Sequence, residues 1–314
     1  MRIILGLLAV LTAFPAFAQT APPPAAPPTA SPPAGAPQGN IEERARRQLS
    51  TPSERDRQDL LMTGDTDILL LRRTPLFTLT ASGDVTYTSN AALSPTDVRA
   101  DGIGQASLGL MMGTRIGGKV DLFASAALVG VRYFDTPALN YNAFSGAVGA
   151  RAGFGRLSVS ATYQPSVVWS GDFGRRQLTS HRFRLGAALP FRIQSLTVEP
   201  ELHGERAITA PGFYSAWSAG GSLTVSRRVG RRAPVFLYAQ IGYDRRSFDD
   251  YFAAFVGTRR LDDSLSAGAG VVWRPGSWGE LRAAYNFGRN WSTSDVNGFT
   301  AHSGTLGLTA TLRF

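Results

Sequence analysis

The sequence predicts an all-β fold: a transmembrane antiparallel up-and-down β-barrel of about twelve strands, with a disordered and short-helical N-terminal extension. Three observations carry that reading. From residue 76 onward apolar and polar residues alternate with period two, which sends them to opposite faces of extended strands. Short and long connections alternate along the same stretch, as they do when strand ends face two different compartments. After the N-terminus there is no further apolar run of about eighteen residues, so a spanning helix is not expected there.

The chain opens with Met1-Arg2, an apolar stretch from Ile3 to Phe17 and an Ala16-Phe17-Ala18 site. A charged start, a core of about fifteen apolar residues and an A-x-A site describe a secretory signal peptide over 1–18. Residues 19–40 hold eight prolines among alanine, glycine, serine and threonine. Such a segment cannot bury a core and favours extended polyproline conformation. It reads as a disordered tail rather than a periplasmic spacer, because no recognisable binding domain precedes it. Residues 41–75 form a charged, partly helical periplasmic segment. Asn40 with Glu43 makes a capping-box pattern, and Thr51-Pro52-Ser53-Glu54 a second helix start. The segment is either a solvated helix or a plug tethered by Ile68–Leu71, and both readings stand.

From residue 76 the strands are expected near 76–89, 101–116, 119–133, 139–153, 156–169, 177–189, 194–205, 213–227, 234–246, 261–274, 279–290 and 298–314. In the first, Phe77, Leu79, Ala81, Gly83, Val85 and Tyr87 alternate with Thr78, Thr80, Ser82, Asp84, Thr86 and Thr88. Leu157, Val159, Ala161 and Tyr163 repeat the pattern, as do Leu237, Ala239, Ile241 and Tyr243. Gly117-Gly118, Gly153–Gly155, Pro190–Gln194 and Arg274–Trp278 are the short connections, and Arg245–Arg260 is the longest loop. That loop carries Phe248, Tyr251, Phe252 and Phe255, which are expected to fold inward or to mark a contact site. Phe77, Tyr87, Trp169, Tyr243, Trp273, Tyr285, Phe287 and Phe314 share the apolar parity and suit interfacial girdles.

The composition excludes several classes. With no cysteine among 314 residues, there is no disulfide scaffold, thiolate zinc site, cysteine nucleophile or lipid-bearing N-terminal cysteine. The formal charge is +9, yet Lys119 is the only lysine. Scattered arginines under such a skew point to codon bias rather than a phosphate-binding surface, so no nucleic-acid partner is expected. His181, His203 and His302 are the only histidines, and no hydrolase, zinc-protease or phosphate-loop motif occurs. No catalytic, cofactor-binding or metal residue is assigned, and no cofactor.

With its signal peptide and residues 76–314, the chain resembles bacterial outer-membrane β-barrel proteins. The final strand, with Leu306, Leu308, Leu312 and Phe314 on one face, resembles the C-terminal signal read by the barrel-assembly machinery. Leu308, Leu312 and Phe314 are the candidate assembly signal. The resemblance implies the bacterial cell outer membrane as location, with outer-membrane lipid and the assembly machinery as partners. An envelope protein bound through residues 19–75 would be a further one. The expected function is a passive channel for small solutes. The alternative is a structural barrel, or one associated with secretion or exopolysaccharide, whose loops or tail bind a partner. Parity places Arg182, Arg184, Glu199, Glu201, His203, Asp244, Arg246, Glu280 and Arg282 in the lumen, along with Asp84, Arg151, Arg156 and Arg313. They form either a selective constriction or a ladder of ion pairs that fills the interior.

Overall fold

The computed structural model describes residues 77–116, 120–230, 235–249, 259–275, 278–294 and 297–313. The signal peptide, the proline-rich linker and the charged segment lie outside these residues, as do Tyr251, Phe252, Phe255 and Phe314. Thirteen strands are described: β1 (Phe77–Thr88), β2 (Asp101–Ile116), β3 (Val120–Tyr133), β4 (Tyr141–Phe154), β5 (Leu157–Ser170), β6 (Arg176–Ala188), β7 (Phe191–Ile193), β8 (Leu196–Ala210), β9 (Ala216–Val229), β10 (Val235–Phe248), β11 (Leu261–Trp273), β12 (Gly279–Ser292) and β13 (Phe299–Arg313).

Every long strand pairs antiparallel with its chain neighbours. β1 pairs with β13 along its length and β6 pairs with β8, so the twelve long strands form a closed ring. Closure satisfies each backbone N–H and C=O within the sheet, the condition for crossing lipid with strands. The long strands have 12 to 16 residues. At about 3.3 Å per residue and a tilt of about 35–45°, a fourteen-residue strand covers roughly 35 Å, enough for a bilayer core and part of its interfaces.

Twelve of the thirteen strands match the expected ones, with ends shifted by up to five residues. β8 continues to Ala210 and β10 to Phe248, where the sequence reading began loops at Arg206 and Arg245. Arg206 and Arg245, which read as loop residues, belong here to the pleat, and Arg206 is held by the Asp249 carboxylate just past β10. The turn at Pro190–Gln194 contains the small strand β7, which folds back on β8 through Phe191↔Val198. Arg156 sits exposed in the tight turn between β4 and β5 rather than in the lumen, because its strand begins one residue later.

The burial pattern is that of a barrel in lipid. On the outward parity Leu202 is 71% exposed, Leu306 67% and Leu185 66%, whereas inward-facing Thr224, Gln240 and Thr309 are 6%, 7% and 4% exposed. A protein stable in water hides leucine and wets threonine. Of the expected girdle, Phe77, Tyr87, Tyr243, Trp273 and Tyr285 stand exposed outside, joined by Phe154, Trp217, Trp278 and Trp291.

The ends carrying the longer connections are pinned by buried side chains. The Asp101 carboxylate accepts hydrogen bonds from the backbone N–H groups of Phe134, Asp135 and Thr136 and from the Thr136 hydroxyl. Asn90 donates to the carbonyls of Ser94 and Thr300, and Asn142 to those of Ser170 and Gly171. Asp101 and Asn90 are each 1% exposed. These groups satisfy loop backbone that would otherwise be buried without partners, and so hold the mouth of the barrel in shape.

Candidate functional site

The inward parity collects the charges. Register places Arg182 opposite Gln164 and Ala207, Arg184 opposite Thr162 and Glu205, and Glu199 opposite Thr224. On the next strand but one, Asp244 and Arg246 stand opposite Ser264 and Asp262. Arg151, Arg182, Arg184, Glu199, Glu201 and Glu205 line one interior cavity of about 500 Å³, with serine, threonine, alanine and glycine between them. Small side chains on β4 and β5 leave the space open, and the charges on β6 and β8 project into it.

Within this cluster Arg184 donates to Glu201 at 3.0 Å and approaches Glu205 at 4.0 Å. His203 Nε2 meets Asp244 Oδ1 at 2.6 Å. That contact runs from β8 to β10 across β9, where His203 and Asp244 both face Gly220. A Cβ at Gly220 would lie 2.3 Å from the Asp244 carboxylate and 2.4 Å from the Tyr243 carbonyl. Only glycine leaves room for the two side chains to meet over the intervening strand. Arg246 lies in the field of Arg182, Glu205, Asp244 and Asp262. The Asp262 carboxylate takes Arg260 at 2.5 Å and the Ser292 hydroxyl at 2.6 Å.

Of the thirteen charges predicted for the lumen, eight therefore fall in one region: Arg151, Arg182, Arg184, Glu199, Glu201, His203, Asp244 and Arg246. Glu280 and Arg282 do not join it. Glu280 accepts from Arg274 at 2.9 Å near the short-turn end, and Arg282 contacts Asp84 at 2.6 Å. The latter pair also crosses a glycine: Asp84 on β1 and Arg282 on β12 both oppose Gly307 of β13. Glu205, Asp262, Gly220 and Gly307 complete these arrangements and were not singled out from sequence. Glu205 shares parity with Glu201 and His203, so that signal was available; the two glycines acquire meaning only through register. Phe248, expected in the loop, closes β10 and is buried under Arg260, whose guanidinium lies 4.2 Å from the ring centroid.

His181 and His302 face outward, each ring nitrogen 2.7 Å from a tyrosine hydroxyl, Tyr163 and Tyr285 respectively. Among the described residues no group of histidine and carboxylate side chains is arranged to hold a metal ion. Leu308 and Leu312 face outward on β13, 52% and 54% exposed.

No family model and no curated protein matches the sequence. Among solved structures, the barrel is similar to the β domain of the Bordetella autotransporter BrkA (15% identity, 74% of this chain and 98% of that one, TM-score 0.45). It is similar to the translocator domain of the autotransporter NalP from Neisseria meningitidis (16% identity, 86% and 98%, TM-score 0.44). A third is an anion-selective porin from Comamonas acidovorans (10% identity, 75% and 98%, TM-score 0.40). Its own closed ring of twelve long strands, apolar exterior and polar interior give the chain the architecture of a membrane-spanning β-barrel.

Proposed function

We propose that this barrel sits in the bacterial outer membrane and conducts small hydrophilic solutes passively along its lumen. The observation that supports this reading is the cavity walled by Arg151, Arg182 and Arg184 and by Glu199, Glu201 and Glu205. Both signs of charge line the space. A solute or ion crossing it meets fixed partners in place of its hydration shell, which is how charged rings discriminate among permeants. The balance of three arginines and three glutamates argues for a path that neither sign of ion is barred from entering. Filled regions beside it, such as the Asp84–Arg282 pair, narrow the route and restrict it to small solutes.

The test is single-channel recording of the full chain in planar bilayers, with reversal potentials in a salt gradient. Discrete conductance steps are expected. Glu201→Gln leaves the arginines in excess and shifts selectivity toward anions, and Arg182→Gln shifts it toward cations. Folded protein that produces no steps overturns the channel reading.

A further inference from the structure

We infer that the outer wall of the barrel carries a binding site for a phosphate-bearing membrane lipid, with an acyl chain in a groove between β6 and β9 and the phosphate on Arg245. The inference rests on the membrane-spanning reading of the fold and not on whether the lumen conducts.

The groove arises from a gap in the outward parity. On the exterior, Leu185, Gly204, Ala219 and Arg245 stand side by side across β6, β8, β9 and β10. The neighbouring row toward the long-connection end reads Phe183, Arg206, Trp217 and Ser247. Gly204 and Ala219 put almost no side chain between Phe183 and Leu185 on β6 and Trp217 and Arg245 on β9 and β10. The result is a trough of about 850 Å³, bordered by Tyr163, Phe183, Leu185 and Trp217. That volume lies within the about 300–1,000 Å³ of small-ligand sites. Its walls are apolar and its floor is smooth, which suits a flexible hydrocarbon chain better than a polar solute.

The charges at the trough identify the other end of the ligand. Two outward arginines line it, in different states. Arg206 is engaged: both its terminal nitrogens donate to the Asp249 carboxylate, and its guanidinium lies 5.1 Å from the centre of the Trp217 ring. Arg245 is held only loosely. Its side chain is 61% exposed, and among the described residues its ion pair is with Asp263 at 3.9 Å. That carboxylate already accepts the Tyr243 hydroxyl at 2.5 Å. A guanidinium facing lipid whose one counter-charge sits at the long end of ion-pair range leaves donors to spare, and phosphate oxygens of a lipid headgroup fit its planar fork. Arg245 lies three residues from the end of β10, where the wall approaches the headgroup level. An acyl chain running from there toward the bilayer centre would follow Ala219 and Gly204.

The experiment is native mass spectrometry of the full chain, reconstituted in equimolar phosphatidylglycerol and phosphatidylcholine vesicles and released in non-ionic detergent. Wild-type protein is expected to retain phosphatidylglycerol over phosphatidylcholine by about tenfold, the scale of one charge-assisted pair. Arg245→Gln abolishes the preference. Gly204→Leu, which fills the trough, reduces retention of both lipids. Arg289→Gln, which removes an outward arginine lying over Trp291 at 4.8 Å and away from the groove, leaves the preference intact. Circular dichroism and gel mobility of each variant report that the barrel has formed. Equal retention of the two lipids by wild type, or a preference that survives Arg245→Gln, overturns the site. Retention unchanged in Gly204→Leu, or displacement of the lipid by equimolar inorganic phosphate, overturns the acyl-chain part. A barrel that carries no current can still pass this test.

Discussion

The two ion pairs that cross a glycine use one geometric device in two different settings. Asp84 and Arg282 reach over Gly307 and are 5% and 6% exposed; Asp244 and His203 reach over Gly220 and are 33% and 8% exposed. In both, the partners are two strands apart, so that no adjacent-strand pairing describes them. The first pair braces the seam where the first and last strands meet. The second lies beside the open charged cavity, where water reaches the carboxylate. The same contact is therefore a structural closure in one place and an adjustable lining in the other, and burial decides which.

That distinction is broken most directly at the seam. Asp84→Ala removes the carboxylate against which the Arg282 guanidinium is buried. Loss of one partner of a buried pair costs about 3–5 kcal/mol. A fall of that size in unfolding free energy, read from urea transitions in lipid vesicles by tryptophan fluorescence, is the largest effect expected. A change below about 1 kcal/mol would place the pair with surface bridges and remove the contrast.

Next in size is Gly220→Ala. A Cβ there meets the Tyr243 carbonyl at 2.4 Å as well as the mobile Asp244 carboxylate, so side-chain movement alone cannot relieve it. Overpacking of this kind costs about 1–3 kcal/mol. At Gly307 the three atoms nearest the added carbon belong to the side chains of Asp84 and Arg282. His203→Ala is milder than either. It leaves Asp244 partly exposed to water, which replaces the lost partner, so about 1 kcal/mol is expected from the same unfolding curves.

The sequence made the staves of the barrel legible because period two survives in almost every strand and turns punctuate them. Leu202, Leu185 and Leu306 announce the lipid face by parity alone. What parity cannot supply is register, the offset between strands, and every cross-glycine contact depends on it. Parity sets Gly220 and Gly307 on the polar face and Gly83 and Gly304 on the apolar one, but only register shows that the first two meet charged partners and the last two meet nothing. Strand ends are hidden in the sequence where charge mimics a loop. Arg206 looked like the start of a turn, yet its partners Asp249 and Trp217 lie on other segments and keep it within β8. The role of Asp101 as a hub for the Phe134–Thr136 backbone was equally hidden, since a single aspartate before a strand carries no pattern.

The smallest effect sharpens the comparison from outside the lumen. Asp249 follows β10 at the long-connection end, and the bidentate contact from Arg206 holds its carboxyl below the ordinary value of 3.8. A depressed carboxyl stabilises the fold at pH values above its unfolded pKa. The contribution fades as pH falls from there through the folded value. Asp249→Asn removes it, by at most about 1 kcal/mol for a solvent-screened pair. The variant and the wild type should thus differ at pH 7 and converge once the medium is acidified well below 3.8. Because Arg206 also stacks on Trp217, Arg206→Ala should retain a deficit in acid that Asp249→Asn does not. Parallel urea titrations at the two pH values separate the ionic part of this contact from its packing. If both variants recover equally in acid, the arginine acts on the wall through charge alone.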